Sequence, residues 1–412
     1  MSIPDLLTRS NMHRKVLGKL ITPYNVMSTF FVRRSVEKAF QLDEPPSGLS
    51  LSMSKPIDTN PPYIISAVDD VMYIVNAVLQ KAISTSQRGV VAAVIPTVGR
   101  VLGSDFVGMI QRKMRDESYP KANQGASFPP EDKIIGFIVL INSLDMANEY
   151  LARILTGRLG VPLEPAHAPA PAADSVIRDA FPFEHDVKLV TADLRALHAS
   201  FSAKSTELLN EGIQVLFNNV VRPRLRPILT ETFRDADYGL AEDELAEVAA
   251  QAAADDGADD DDADALARLL AQVPRRFEHG WEALVRPVAR LMAPRTFAAL
   301  LEVAARHLAR VLETRVWSYA GRATAYGAGR LERDLNGVVG AVARGGGSYA
   351  LRELFARTTQ ILTVANMEDD EWEELAAEEE AAAAGGGAAG DVAMVWVLSE
   401  DERRKARGLV RR

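Results

Sequence analysis

Two adjacent aspartates, Asp69 and Asp70, stand inside the apolar run YIISAVDDVMYIVNAVLQKAISTS, Tyr63 to Ser86. Paired carboxylates serve acid/base catalysis or metal binding, so their spacing decides what these two can do. Ile64, Val68, Val71, Val75, Val78 and Ala82 recur every three or four residues, which marks one stripe of an α-helix, broadened by Met72 and Leu79. Both aspartates fall outside the stripe, and neighbouring helical residues point roughly 100° apart. The pair therefore does not converge on one metal or one sugar, and the spacing favours a solvated or partner-facing edge.

Other candidate chemistry thins out in the same way. The histidines His13, His167, His185, His198, His279 and His307 include no pair at i,i+3 or i,i+4, the spacing a helical metal site uses. VGRVLGSDFVG carries Gly99, Gly103 and Gly108 but matches neither the dinucleotide fingerprint nor the Walker pattern. No Gly-x-Ser-x-Gly elbow and no cysteine nucleophile occurs. The acidic run Asp255 to Asp264 lacks the alternating ligands of a calcium loop and reads as an electrostatic spacer. Gly345 to Gly347 read as a helix stop with Ser348 as the next N-cap. RPRLRP, Arg222 to Pro227, could mimic an extended proline ligand; a helix end closed by prolines explains it equally. The expectation is a protein with no catalytic set, no metal and no cofactor.

The elements that would position such residues are helical almost throughout. The 412 residues are 47% hydrophobic, enough for two or three domains with real cores. The 47 basic and 56 acidic side chains give a net charge of −9, which argues against nucleic acid as a partner. Absent cysteine excludes disulfides and zinc-thiolate sites. The polar stretch Met1 to Asn11 reads as no signal peptide, and the longest apolar run, Ile134 to Ile141, is short of the ~20 residues that cross a bilayer. No asparagine lies in a glycosylation sequon. The chain reads as cytosolic.

Helical periods run from Asp5 to Glu44 with a break or kink at Pro23, from Gln87 to Ser118 with a kink near Pro96, from Glu131 to about Leu159, and from about Asp186 to Val221. Pro45 to Pro62 is a loop, and the Pro/Ala-rich GVPLEPAHAPAPAADS a mobile linker. The fold class expected is all-α, elongated stacked helical bundles: a unit over 1–238, an acidic spacer over 239–264, and a second unit over 265–412 with a disordered insert at about 376–392. Ser399 and Glu402 stand at capping-box spacing.

MSTFFVRRSVEKAFQLDE followed by SAVDDVMYIVNAVLQKAISTS resembles the subunit 4 family of the conserved oligomeric Golgi complex. RVLETRVWSYAGRATAYGAGRLERDLNGVV, LRELFARTTQILTVANMEDDEWEE and WVLSEDERRKARGLV continue the resemblance in order, from about Tyr24 to Arg407. It covers the C-terminal half of that family's subunit, and the N-terminal coiled-coil region has no counterpart, so the chain reads as a fragment. The resemblance implies a non-catalytic helical rod, a fold shared with the exocyst, that tethers vesicles for retrograde intra-Golgi transport and Golgi enzyme recycling. It implies the other subunits, SNAREs, SNARE regulators and Rab GTPases as partners, and peripheral placement on the cytoplasmic face of Golgi membranes. No helix combines a strongly basic face with a bulky aromatic one, so recruitment through proteins is expected. The rival readings are a general cytosolic helical scaffold and an enzyme hidden in the Pro96-kinked bundle.

Two residue sets carry over from the family. Asp69 and Asp70 occupy its Val-Asp-Asp, where they are expected to bind the element packed beside their helix or to cap it. Arg357 matches an arginine that pairs with a glutamate of the last helix, here Glu402, which its capping role also claims. That pair is worth ~0–1 kcal/mol if exposed and ~3–5 kcal/mol to break if buried.

Overall fold

The computed structural model describes residues 11–125, 128–161, 163, 176–255, 262–346, 349–383 and 395–411. Its regular structure is helical, and among the described residues the β-type pairing is a lone bridge between Ala323 and Val410. The chain divides into two compact units, Met1–Val220 with Pro287–Phe297, and Val221–Arg286 with Ala298–Arg412.

The first unit contains α1 (Asn11–Gln41), α2 (Ser66–Ser84), α3 (Arg88–Glu117), α4 (Glu131–Arg153), α5 (Val176–Ala180) and α6 (Glu184–Leu216); α2, α3 and α6 bury one stripe each, whereas α4 is buried on all sides from Phe137 to Asn148. Val68, Val71, Val75, Val78 and Ala82 of α2 are buried against α1, α3 and α4, while Asp69, Asp70 and Tyr73 face outward. Phe106 of α3 is fully buried with its ring 5.8 Å from Phe40 of α1 and 6.2 Å from Phe201 of α6, tying three helices at one point. Pro23 does not break α1, because the helix continues along α2 and α3 with Val32 and Val36 buried, which offsets the roughly 3 kcal/mol an interior proline costs. The helix α3 also passes Pro96 and widens to π geometry at Val101–Phe106 and Lys113–Glu117. Both α3 and α4 reach the length and apolarity of a membrane span, yet 56% and 78% of their most apolar windows is packed inside the protein, as core helices require.

The second unit contains α7 (Arg222–Thr232), α8 (Glu242–Asp255), α9 (Asp262–Ala289), α10 (Pro294–Trp317), α11 (Ala325–Gly346), α12 (Ala356–Asn366), α13 (Asp369–Ala383) and α14 (Glu400–Arg407), with part of α9 and α10 counted in the first unit. RPRLRP is helical: Pro223 lies at the start of α7, where its missing N–H costs nothing, and Pro227 is carried inside. That conformation removes the extended-ligand reading. The helix α8 buries Leu245 and Ala249, so the acidic stretch is not solvated throughout. Tyr238 is fully buried, donates from its hydroxyl to Asp334 Oδ2 at 2.8 Å and meets Tyr319 edge to face at 5.1 Å. Its carbonyl leaves no room at Gly327, where a Cβ would lie 1.9 Å away. Most of the Pro/Ala-rich linker, residues 256–261 of the acidic run, Gly347 with Ser348, and residues 384–392 of the second insert lie outside the described residues.

Candidate functional site: a shared carboxylate on the terminal helix

The helix α14 has eight residues, too few to persist in water unaided, so its docking decides whether it forms. Its start is a capping box: Glu402 N–H donates to Ser399 Oγ at 3.3 Å, and Ser399 N–H donates to Glu402 Oε2 at 2.8 Å. The other oxygen, Oε1, accepts from Arg357 Nη2 at 2.6 Å, a residue in the first turn of α12. The two roles of Glu402 thus coexist: Oε1 serves Arg357, and Oε2 serves the cap while also accepting from Arg357 Nη1 at 3.5 Å. Arg357 also donates Nε and Nη2 to Glu313 of α10, at 3.2 Å and 3.0 Å to Oε1, which makes a guanidinium bridge between two carboxylates. Sequence reasoning missed Glu313; it flanks the buried Leu312 with no local signal of its partner.

The electrostatics follow the geometry. Hydrogen bonds from Arg357 first, and from the Ser399 backbone second, hold the Glu402 carboxyl at about 2, well below the usual carboxylate range. The Glu313 hydrogen bond first, then that of Glu402, raises Arg357 beyond its already high value. The side chains of Arg357 and Glu402 remain 37% and 36% exposed. The pair is partly buried, and solvent screening brings the contribution of the bridge to about 1–2 kcal/mol for the network.

The rest of the terminal segment is bound by other groups. Gln360 of α12 reads the backbone ahead of α14: its Nε2 donates to Val395 O at 2.8 Å, and its Oε1 accepts from Val397 N at 2.8 Å and Leu398 N at 3.3 Å. Arg403 is buried, donates to Leu398 O at 2.8 Å and lies 5.2 Å over the Trp396 ring. Arg407, also buried, donates to Met367 O and Asp369. Beyond α14, Gly321 accepts no side chain without strain, at φ +71°, and its N–H donates to Gly408 O and Leu409 O at 3.1 and 3.0 Å.

Asp69 and Asp70 are separated by what they meet. Asp69 lies in the first turn of α2 near the hydroxyl of Tyr150 of α4; burial first, and that carboxylate second, raise the Tyr150 hydroxyl. Asp70 is exposed. The N-terminus of α2 is capped from a distance by Asp43, whose Oδ1 accepts from Ala67 N at 3.2 Å and whose Oδ2 lies 3.1 Å from Lys113 Nζ. Nor does the pattern of α4 reveal Asn142, whose Nδ2 donates to Tyr63 O at 3.2 Å and Leu291 O at 2.7 Å, while its Oδ1 accepts from Ala293 N at 2.9 Å. Buried Ser143 accepts from Ile65 N at 3.1 Å. Polar residues within an apolar helix thus pin the α1–α2 loop. Among the described residues no three His, Asp or Glu side chains gather as a metal site.

This architecture has known counterparts. Residues 137–405 match the family model "Conserved oligomeric Golgi complex subunit 4, C-terminal", and residues 1–114 match "COG4 transport protein, middle alpha-helical bundle". The chain is 26% identical over 361 residues to conserved oligomeric Golgi complex subunit 4 of Arabidopsis thaliana, 87% of this chain and 42% of that protein. The subunit 4 of Saccharomyces cerevisiae is 22% identical over 68% of this chain and 30% of its own length, and that of Drosophila melanogaster 22% over 86% and 41%. The chain spans about two fifths or less of the length of these relatives. With its larger match alone covering well over half of the residues, the chain belongs to the conserved oligomeric Golgi complex subunit 4 family.

Proposed function

We propose that the protein is a non-catalytic subunit of a Golgi vesicle-tethering complex, acting in retrograde intra-Golgi transport and Golgi enzyme recycling at the cytoplasmic face of the membrane. The observation that carries the reading is the ordered match of middle and C-terminal family regions across two helical units. Tethering needs no bond change. A stiff bundle raises the effective concentration of weakly bound partners held together, so modest contacts to the other subunits, SNAREs, SNARE regulators and Rab GTPases sum. The surface of α1 supports such contacts: Val26, Met27, Phe30 and Phe31 are exposed in one patch, bordered by Arg34 and Lys38. Arg357 and Glu402 serve this function by holding the terminal segment in place, and Asp69 by fixing α2 against α4.

Affinity purification of the tagged protein from its own cells tests the reading. The other subunits of the complex co-purify, and depletion redistributes Golgi-resident glycosyltransferases. Recovery of none of those subunits, with Golgi enzymes unmoved on depletion, would replace it with the general scaffold.

A further inference from the structure

The first unit contains a cleft of about 930 Å³ between α4 and the turn that carries Leu291 and Met292. Most polar groups around it are spent. Asn142 uses both its side-chain groups on backbone, Asn148 accepts from Ser205 Oγ at 2.8 Å, Arg153 pairs with Glu149, and Arg290 donates to Ser52 O at 3.1 Å. Two are not, His198 and Asp145, and of these Asp145 is the carboxylate. Its side chain is only 10% exposed, yet among the described residues its carboxylate accepts no hydrogen bond. The nearest cation is Arg295, at 3.9 Å, on a side chain 81% exposed. Burial pushes the Asp145 carboxyl above the usual carboxylate range. The carboxylate oxygens open on the cleft, so donors brought from outside the fold can complete what its own side chains do not.

The walls say what brings them. Pro62, Tyr63, Met146 and Met292 share the lining of the cleft with the carboxylate, so apolar surface and a negative charge are offered together, beside the Arg153–Glu149 pair. Such a site takes an alkyl stem with a cationic head, and a guanidinium matches a carboxylate with two parallel N–H bonds. An anion would meet Asp145 head-on, and a purely apolar group would leave it unpaired. We propose that the cleft receives an arginine side chain of a partner protein, with Asp145 accepting the guanidinium and the exposed Arg295 displaced into solvent. Arg295 is thus a competitor that the incoming arginine replaces. This site stands independently of the tethering role.

The test uses the full chain labelled with ¹³C at its methionine methyls, so that Met146 and Met292 report on the cleft. Butylguanidinium should shift those two signals and leave the other methionines unmoved, whereas neutral butylurea of the same shape should not. Asp145→Asn, with its remaining spectrum unchanged, should weaken butylguanidinium at least tenfold. Arg295→Ala should tighten it several-fold, and this variant decides the matter should Asp145→Asn fail to fold. A capped Leu-Arg-Leu tripeptide should bind more tightly than butylguanidinium. Equal shifts from butylurea, indifference to either substitution, or spermidine binding more tightly than the tripeptide would each overturn the proposal, the last by assigning the cleft to free polyamines.

Discussion

The loop between α1 and α2 and the segment around α14 are both short pieces of chain pinned onto helices, and they are pinned by opposite means. The loop is held by short side chains that are themselves buried: Asn142 and Ser143 on backbone groups, and Asp43 on the α2 terminus. The terminal segment is held mainly by long cations reaching from or onto its surface: Arg357 on two carboxylates, Arg403 and Lys405 on indole faces, Arg407 on carbonyls. Buried hydrogen bonds are insensitive to salt, while half-exposed ion pairs are screened. Of the anchors in the two regions, the half-exposed Arg357 bridge is the one that salt reaches most easily.

The largest effect should come from Asn142→Ala, which strips partners from Tyr63 O, Leu291 O and Ala293 N. We expect a loss of about 2–4 kcal/mol in denaturant unfolding, the same at low and high sodium chloride. A cost that halves in 1 M salt would erase the contrast. Next comes Arg357→Trp, expected to lower the free energy of opening α14 by about 1–2 kcal/mol, read as faster amide exchange at Glu400–Arg407. Here salt matters: the difference from the parent should shrink as ionic strength rises. Full retention of exchange protection would show that Gln360 and Arg407 suffice.

The smallest effect is a pH dependence. The Glu402 carboxyl is held at about 2 in the folded protein against 4.5 for a free glutamate. Its contribution is therefore complete above pH 4.5 and is lost as pH falls towards 2. Because the group is more than one-third exposed, screening leaves under about 1 kcal/mol. Amide signals of α14 should shift across that window in the parent and stay flat in Glu402→Gln; parallel behaviour of the two would remove Glu402 from the response.

The helical class and the α2 stripe were legible because periodicity is local: Val68, Val71, Val75, Val78 and Ala82 each face the core. The Ser399–Glu402 box is equally local, and the structure contains it. The prolines misled for a complementary reason. Pro23 and Pro227 carry a local penalty that burial elsewhere on α1 and the placement of α7 outweigh. Long-range partners left no trace in spacing: nothing near Asp43 announces Ala67, nothing near Arg357 announces Glu313, and Tyr150 stands 81 residues from Asp69. The same holds for Asn142, Ser143 and Asn148: they stand in an apolar helix, but their spacing does not say that Tyr63, Ile65 and Ser205 are what they meet.

A single carboxylate both starts α14 and moors it, so nucleation and docking of that helix share one side chain. Turning that carboxylate away would forfeit the cap and the bridge together, while the contacts of Gln360 and Arg407 would remain. A ligand that captured the Arg357 guanidinium would take away the mooring but not the cap, and would leave the helix started yet held only by Gln360, Arg403 and Arg407.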